Sequence, residues 1–293
     1  MPRRGVFIYD DILARHTLRE DHVLVPTRLR YTYELLEAYG AFRLPHSRLL
    51  PPRSATEEEV LRFHTKEYLE AVKAFSRGLR PLDPSKFGFS EHGDNPVFPG
   101  MYEASLWSTG ASLTAADLLL DGKAEAAANF SGGLHHAMPG YASGFCVFND
   151  PVIHSFLQKG LRVAYVDIDC HHGDGVQYAF YDTDQALTIS LHETGQFLFP
   201  GTGFPHEIGV GKGQGYSVDL PLYPYTDDET YLWAFREVVP PLVKAFRPDA
   251  LVTQLGIDTH FQDPITHLQL TVQGYAQVVK DLADLSPGRW LAL

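Results

Sequence analysis

The chain has 293 residues, 44% of them apolar, with 24 Lys and Arg against 36 Asp and Glu and a formal net charge of −12. That is enough for one large α/β domain, and the acidic balance argues against nucleic acid or an anionic membrane as a charge-driven partner while suiting an amine-bearing substrate. No stretch approaches the ~18 apolar residues of a spanning helix, the opening "MPRRGVFIYDD" lacks the form of a signal peptide, and two cysteines, Cys146 and Cys170, point to a reducing compartment, so the expectation is a soluble cytoplasmic protein.

In chain order, residues 5–9 (GVFIY) read as an opening strand and residues 27–39 as a helix. Three prolines then break regularity in "RLPHSRLLPPRS". Thr56 and Glu59 form a capping-box pattern ahead of one predicted helix through "EEVLRFHTKEYLEAVKAFSR". Residues 80–100, with four prolines, read as a long loop, a feature that is often functional inside a compact domain. A helix rich in small residues follows over about 101–121, and Gly122 would end it. Further strands are expected at 124–130, 161–168, 186–191, 216–222 and 249–256, and in the closing "RWLAL". Thr226 and Glu229 suggest a second capping box, opening a helix that Pro240–Pro241 interrupts. This alternation predicts a mostly parallel sheet with helices on both faces, in a single domain over 1–293.

Four polar clusters each follow an expected strand: "SGGLHH", "DIDCHHGD", "SLHETG" and "GIDTHFQD". Ligands of open α/β sheets bind outside the carboxyl ends of the strands, so four such clusters point to one pocket. Asp169 and His171 are two residues apart and project to one side of an extended segment. Carboxylate oxygen and imidazole nitrogen are ordinary ligands for a first-row metal. Asp258, at another strand end, is a candidate third ligand, and three protein ligands leave a position for water. The tandem His135 and His136 suit proton transfer, with Asp167 and Asp174 as the available carboxylates.

"GGLHHA", "SGFCVFND", "VDIDCHHGDG", "SLH…FPGTG" and "GIDTHFQDP", in this order, resemble the motifs of the histone deacetylase superfamily, with its bacterial acetoin-utilisation and acetylpolyamine-amidohydrolase members the most similar. The resemblance covers nearly the whole chain. It implies a single-domain arginase–deacetylase fold with an eight-stranded, mostly parallel sheet. The implied activity is a Zn²⁺ (or Fe²⁺) hydrolase removing acyl groups from the amine of acetyl-lysine, acetylpolyamine or a related acyl amine. By that resemblance Asp169, His171 and Asp258 match the metal ligands. His136 matches the general base and acid with Asp174 as partner, and His135 the second histidine with Asp167 behind it. Phe145 and Phe199 match the tunnel walls beside Gly144, and Asp94 matches a rim aspartate that binds substrate backbone. Structural K⁺ is implied at an inner site near Asp167, Asp169, His171, Ser190 and Leu191. A second K⁺ site is implied near Phe180, Thr183 and Tyr216.

The family also carries a glycine-rich loop whose tyrosine holds the oxyanion, and no such motif follows "SPGRWLAL". The expectation is therefore a sequence shorter than its relatives, which binds metal and turns over acetyl-lysine poorly, since losing an oxyanion donor costs ~10²–10³ in kcat. Two alternatives stand beside the deacetylase reading. One is a catalytically weak, metal-bearing binder of acyl amines. The other is an arginase-like dinuclear Mn²⁺ hydrolase, although the residue two past Asp258 is His260 rather than a second aspartate. The natural amine and the oligomeric state are left open.

Overall fold

The computed structural model describes residues 3–15, 18–150 and 154–293. They fall into two units, one over Met1–Val152 together with Leu293 and the other over Ile153–Ala292.

In the first unit β1 (Gly5–Ile8) pairs in parallel with β2 (Ser47–Leu50) and β3 (Ala126–Ala128). β2 lies inside the proline-flanked stretch expected to be irregular. It is a four-residue strand without full burial, so it shows no apolar pattern to read. α1 (Thr27–Ala38) follows β1, and Tyr9 stacks on its Tyr33 with ring centroids 4.7 Å apart. The capping box forms: Thr56 accepts from Glu59 N–H, and Glu59 accepts from Thr56 N–H at 2.8 Å. The helix it opens is not the single one expected, because α2 (Glu57–Val60) stops and α3 (Lys66–Ser76) restarts. Tertiary contacts override the local pattern there. The His64 ring turns inward and accepts Asn149 N–H at 2.9 Å, and Thr65 N–H donates to Pro139 at 2.8 Å. Thr65 then caps α3 by accepting from Tyr68 N–H. Phe87 and Phe89, from the predicted 80–100 loop, are buried against Tyr68, Phe75 and Phe148, so that stretch is anchored in a core. α4 (Met101–Leu120) ends as expected, with Gly122 at φ 66°.

The second unit contains α5 (His154–Leu157), β4 (Val163–Asp167), α6 (Asp174–Phe180), β5 (Ala186–Glu193) and β6 (Ser217–Leu222). α7 (Asp228–Phe246), β7 (Ala250–Gln254), α8 (Val272–Leu285) and β8 (Trp290–Ala292) complete it. Its strands lie in the order β8-β7-β4-β5-β6, all parallel. β4, β5 and β7 are buried along their whole length, which requires cover on both faces. On one face Ala164, Val166, Leu187, Ile189 and Leu251 pack under Tyr231, Phe235, Val239 and Val243 of α7 and Val278 and Leu282 of α8.

Two local expectations fail in α7. Its cap is Asp227, which accepts from Thr230 N–H, while the Thr226 hydroxyl donates to the Tyr223 carbonyl at 2.7 Å instead. Pro240 and Pro241 also lie inside the helix without interrupting it. The carbonyls that lose their usual N–H partner belong to Arg236 and Glu237, both exposed residues, while the buried face holds its register on either side.

Strand register brings two loops together. Asp167 at the end of β4 is aligned with Ser190 of β5 and Gln254 of β7. The segments leaving β4 and β7 therefore emerge side by side from the carboxyl edge of the sheet.

Candidate metal centre

Beyond Asp167 the chain turns, and the Asp169 Oδ1 accepts the backbone N–H of His171 at 2.8 Å. The same oxygen lies 3.1 Å from His171 Nδ1, which is also 2.7 Å from Asp258 Oδ2. Asp258 sits in the single turn Ile257–Thr259 after β7. Its other oxygen accepts Cys170 N–H at 2.8 Å, and the Thr266 hydroxyl donates to its carbonyl. Gln254 Nε2 donates to Asp169 Oδ2 at 2.8 Å. One donor atom from each of Asp169, His171 and Asp258 lies within 4.8 Å of the others. Gly256 makes room for this, since a Cβ there would come within 2.1 Å of Asp169 Oδ2. His260, the residue that would matter for a second metal, turns its Nδ1 to Gln262 N–H at 3.3 Å.

The electrostatics are those of a site with surplus negative charge. Burial disfavours a charged His171 ring, but Asp169 and Asp258 outweigh it and hold the ring protonated, pushed up to about 10. Burial and the Asp169 charge push Asp258 above the usual carboxylate range, with His171 pulling the other way. A divalent cation would replace the shared proton, and the mixed O/N donor set fits a first-row transition ion. Cys170 stands between two of these residues, but burial and the neighbouring carboxylates keep its thiol neutral.

Around this group, Asp167 is buried and accepts from Tyr165 Oη at 2.7 Å and Asp169 N–H at 3.1 Å. Ser190 lies 2.8 Å from His192 Nδ1, and His192 Nε2 lies 2.9 Å from the Gly203 carbonyl. A carbonyl only accepts, so Nε2 carries the hydrogen and Nδ1 receives the one from Ser190. Leu191, between them, is buried. Gly203 has φ +83°, and a Cβ there would come within 2.3 Å of His192 Nε2 and 2.7 Å of His172 Cγ. Phe199 is 42% exposed, with its ring 6.3 Å from that of His171. Asp174 opens α6 and accepts Gly175 N–H at 3.0 Å. Phe180 ends α6, its carbonyl accepts Thr183 N–H at 3.3 Å, and the Tyr216 carbonyl accepts Thr188 N–H at 2.9 Å.

Sequence reasoning missed His172. It is buried with Nδ1 2.8 Å from Thr202 Oγ1, and Nε2 3.1 Å from Gln177 Oε1 and 3.2 Å from Asp219 Oδ1. Burial opposes its charged form, yet Asp219 raises the ring's pKa overall. Only the doubled histidine hinted at this, because Asp219 reads as an ordinary residue of "YSVDLPL".

In the first unit His135 and His136 are buried side by side, ring centroids 4.0 Å apart. Asn149 Nδ2 donates to the carbonyls of His135 and Ala137 at 3.1 and 3.0 Å. Asp150 accepts from Gly133 N–H at 3.2 Å, from Leu134 N–H at 2.7 Å and from the Ser112 hydroxyl. Burial pushes Asp150 up to about 6 against the pull of those bonds. Phe145, after Gly144, has φ 69° and donates its N–H to Asn95 Oδ1 at 3.3 Å. Its ring meets His22 edge-on at 4.9 Å. His22 Nδ1 accepts Leu24 N–H, so Nε2 donates to the Asp94 carbonyl at 3.0 Å and leaves the Asp94 side chain exposed.

Fold and site together define a parallel α/β protein with a carboxylate–imidazole–carboxylate group at its strand ends. The family described as "Histone deacetylase domain" matches residues 22–293, and the chain belongs to the histone deacetylase family. The acetoin utilization protein AcuC of Bacillus subtilis (strain 168) is 41% identical over 299 residues, covering 99% of this chain and 76% of that protein. AcuC of Staphylococcus xylosus is 39% identical over 285 residues, 95% of this chain and 73% of that one. The crystal structure of an HDAC homolog from Aquifex aeolicus matches with a TM-score of 0.90 at 30% identity, covering 99% of this chain and 79% of that chain. The crystal structure of an HDAC homolog complexed with SAHA gives 0.89 at 30% identity, with the same coverage. The chain is thus of the deacetylase type, a family of amide hydrolases that is generally metal-dependent. Among the described residues no helix is long and apolar enough to cross a membrane.

Proposed function

We propose that the protein is a metal-dependent deacetylase hydrolysing the amide of acetyl-lysine, an acetylpolyamine or a related acyl amine. One observation carries the reading: Asp169, His171 and Asp258 bring donor atoms within 4.8 Å of one another in a chain of the histone deacetylase family. These residues would hold Zn²⁺ or Fe²⁺, which when bound polarises the amide carbonyl and acidifies water. His136 takes the proton from the attacking water and returns it to the leaving amine, with Asp174 as its carboxylate partner. His135, backed by Asp167, is the second histidine of the pair. Phe145, Gly144 and Phe199 wall the acyl stem, and Asp94 accepts a hydrogen bond from the substrate at the rim. K⁺ is structural, held near Asp167, Asp169, His171, Ser190 and Leu191 and again near Phe180, Thr183 and Tyr216. The chain acts as one catalytic domain in the reducing cytoplasm, where Cys146 and Cys170 stay thiols.

The test pairs metal analysis of the purified protein with deacetylation of a fluorogenic acetyl-lysine peptide and of an acetylpolyamine, with Zn²⁺ or Fe²⁺ and K⁺ present. Expected are one transition metal per chain and turnover that disappears on chelation. Chelator-resistant turnover, or no metal binding, overturns the reading. Metal and acyl-amine binding without turnover would mark a binding protein instead.

A further inference from the structure

β5 continues past Ser190 to Glu193, whose side chain is 0% exposed. A buried carboxylate is costly unless paired and hydrogen-bonded. Glu193 has both kinds of partner, and all of them come from the segments that carry the metal-ligand group. Its Oε1 lies 2.9 Å from His267 Nδ1, and its Oε2 accepts the His267 backbone N–H at 2.9 Å. Its own N–H donates to the Cys170 carbonyl at 2.9 Å, and Cys170 Sγ stands 3.8 Å from Oε2.

Cys170 lies between Asp169 and His171, and its N–H donates to Asp258 Oδ1 at 2.8 Å. His267 closes the loop that follows Asp258. Within that loop the Thr266 hydroxyl donates to the Asp258 carbonyl, and just beyond it Leu270 N–H donates to the Thr259 carbonyl at 3.1 Å. His267 is fixed from its other side as well: its carbonyl accepts Tyr225 N–H at 2.9 Å, and the Tyr225 ring stands 6.2 Å away. Tyr225 holds φ 69° there, a strained backbone for a tyrosine.

Resting on the metal centre proposed for this chain, we infer that Glu193 and His267 are a positioning pair for its ligands. With its carboxylate on His267 and against Cys170 Sγ, and its N–H on the Cys170 carbonyl, Glu193 ties the loop bearing Asp169 and His171 to the loop bearing Asp258. It thereby sets the spacing of the three donors before a cation arrives, and it is not itself a ligand. An apolar residue would fill the space under β5 at least as favourably. What it would not do is grip a backbone N–H and a ring nitrogen of one loop while lying against the other.

The test compares the parent with Glu193→Ala, Glu193→Gln, His267→Ala and His267→Gln. Zn²⁺ affinity is read by competition with a chromophoric chelator, ligand geometry by the visible absorption of the Co²⁺-loaded protein, and folding by thermal unfolding without metal. Removing an outer-shell partner typically weakens metal affinity ~10–100-fold, and that rise in Kd is expected for both alanine variants. The Co²⁺ bands should shift with it, and the glutamine variants, which keep part of the hydrogen bonding, should recover part of the affinity. An unchanged Kd with unchanged Co²⁺ bands overturns the inference, whatever happens to Tm. If Glu193→Ala fails to fold, His267→Ala carries the test, because that side chain is 49% exposed. A parent that binds no Zn²⁺ refutes the metal centre itself, and the inference with it, and is told apart from the first failure by that measurement alone.

Discussion

Loading the Asp169–His171–Asp258 group with a transition ion should release protons, and the number follows from the side chains. His171 is held up to about 10 by its two carboxylate neighbours against the effect of burial. Near pH 7.5 more than ~99% of its rings carry the proton. An ion that takes the ring nitrogen displaces that proton, so about one leaves per ion bound. At lower pH the number grows, because Asp258, raised by burial and by Asp169, also begins to hold a proton. The apparent affinity should therefore climb about tenfold per pH unit below pH ~10, each step about 1.4 kcal/mol, or about 100-fold between pH ~7 and pH ~9. The sign for the metal-free protein is the opposite. A raised histidine contributes stability that is complete below the ordinary value of 6.5 and lost as pH rises through about 10. Calorimetric titration with Zn²⁺, repeated in buffers of different ionisation heat, counts the protons directly. Zero protons released, together with an affinity that stays flat with pH, would refute the reasoning.

Three other outcomes are expected. Asp258→Asn keeps the bulk of the side chain but removes a charge, so metal per chain should fall toward zero by elemental analysis and the His171 ring should titrate at lower pH by NMR. Asp150→Asn should cost ~1–3 kcal/mol in urea unfolding, because the carboxylate accepts two backbone N–H groups from the segment leading to His135. Asp150 is raised from 3.8 to about 6 in the fold, so the parent should gain up to ~3 kcal/mol relative to that variant as pH falls from above 6 toward 3.8. Thr65→Ala removes the cap that accepts from Tyr68 N–H at 3.2 Å and should lower stability by ~1 kcal/mol in the same assay.

The strands that carry the site were the easiest part of the fold to read. β4, β5 and β7 are buried on both faces, so apolar residues recur along them even though Thr188 and Ser190 interrupt β5 and polar residues gather at the carboxyl ends of all three. β2 was unreadable because a four-residue strand between prolines has no pattern to show. The break between α2 and α3 depends on where the His64 ring goes, and the continuity of α7 depends on Arg236 and Glu237, four residues before the prolines, lying on its exposed side. Neither is a local property of the sequence. Asp169 and His171 share a short motif, but Asp258 is 87 residues from His171 and reaches it only because β7 lies beside β4. Its role was available through resemblance and as one of several strand-end aspartates, no more. His172 and Glu193 lie within quoted motifs, but their partners Asp219 and His267 do not, since each pair joins a strand residue to a distant loop whose position only the folded chain defines.

The packing of Gly203 against two imidazole rings separates what can vary in this region from what cannot. Any side chain at 203 must push His192 or His172 out of place, so the backbone there is closed to substitution. Phe199, four residues earlier, is 42% exposed. In the proposed function Phe199 walls the acyl stem, so a single substitution there would be the route to altered selectivity toward a bulkier or more slender acyl amine. The frame behind it is fixed by contact, since no side chain can be added at Gly203 without moving His192 or His172.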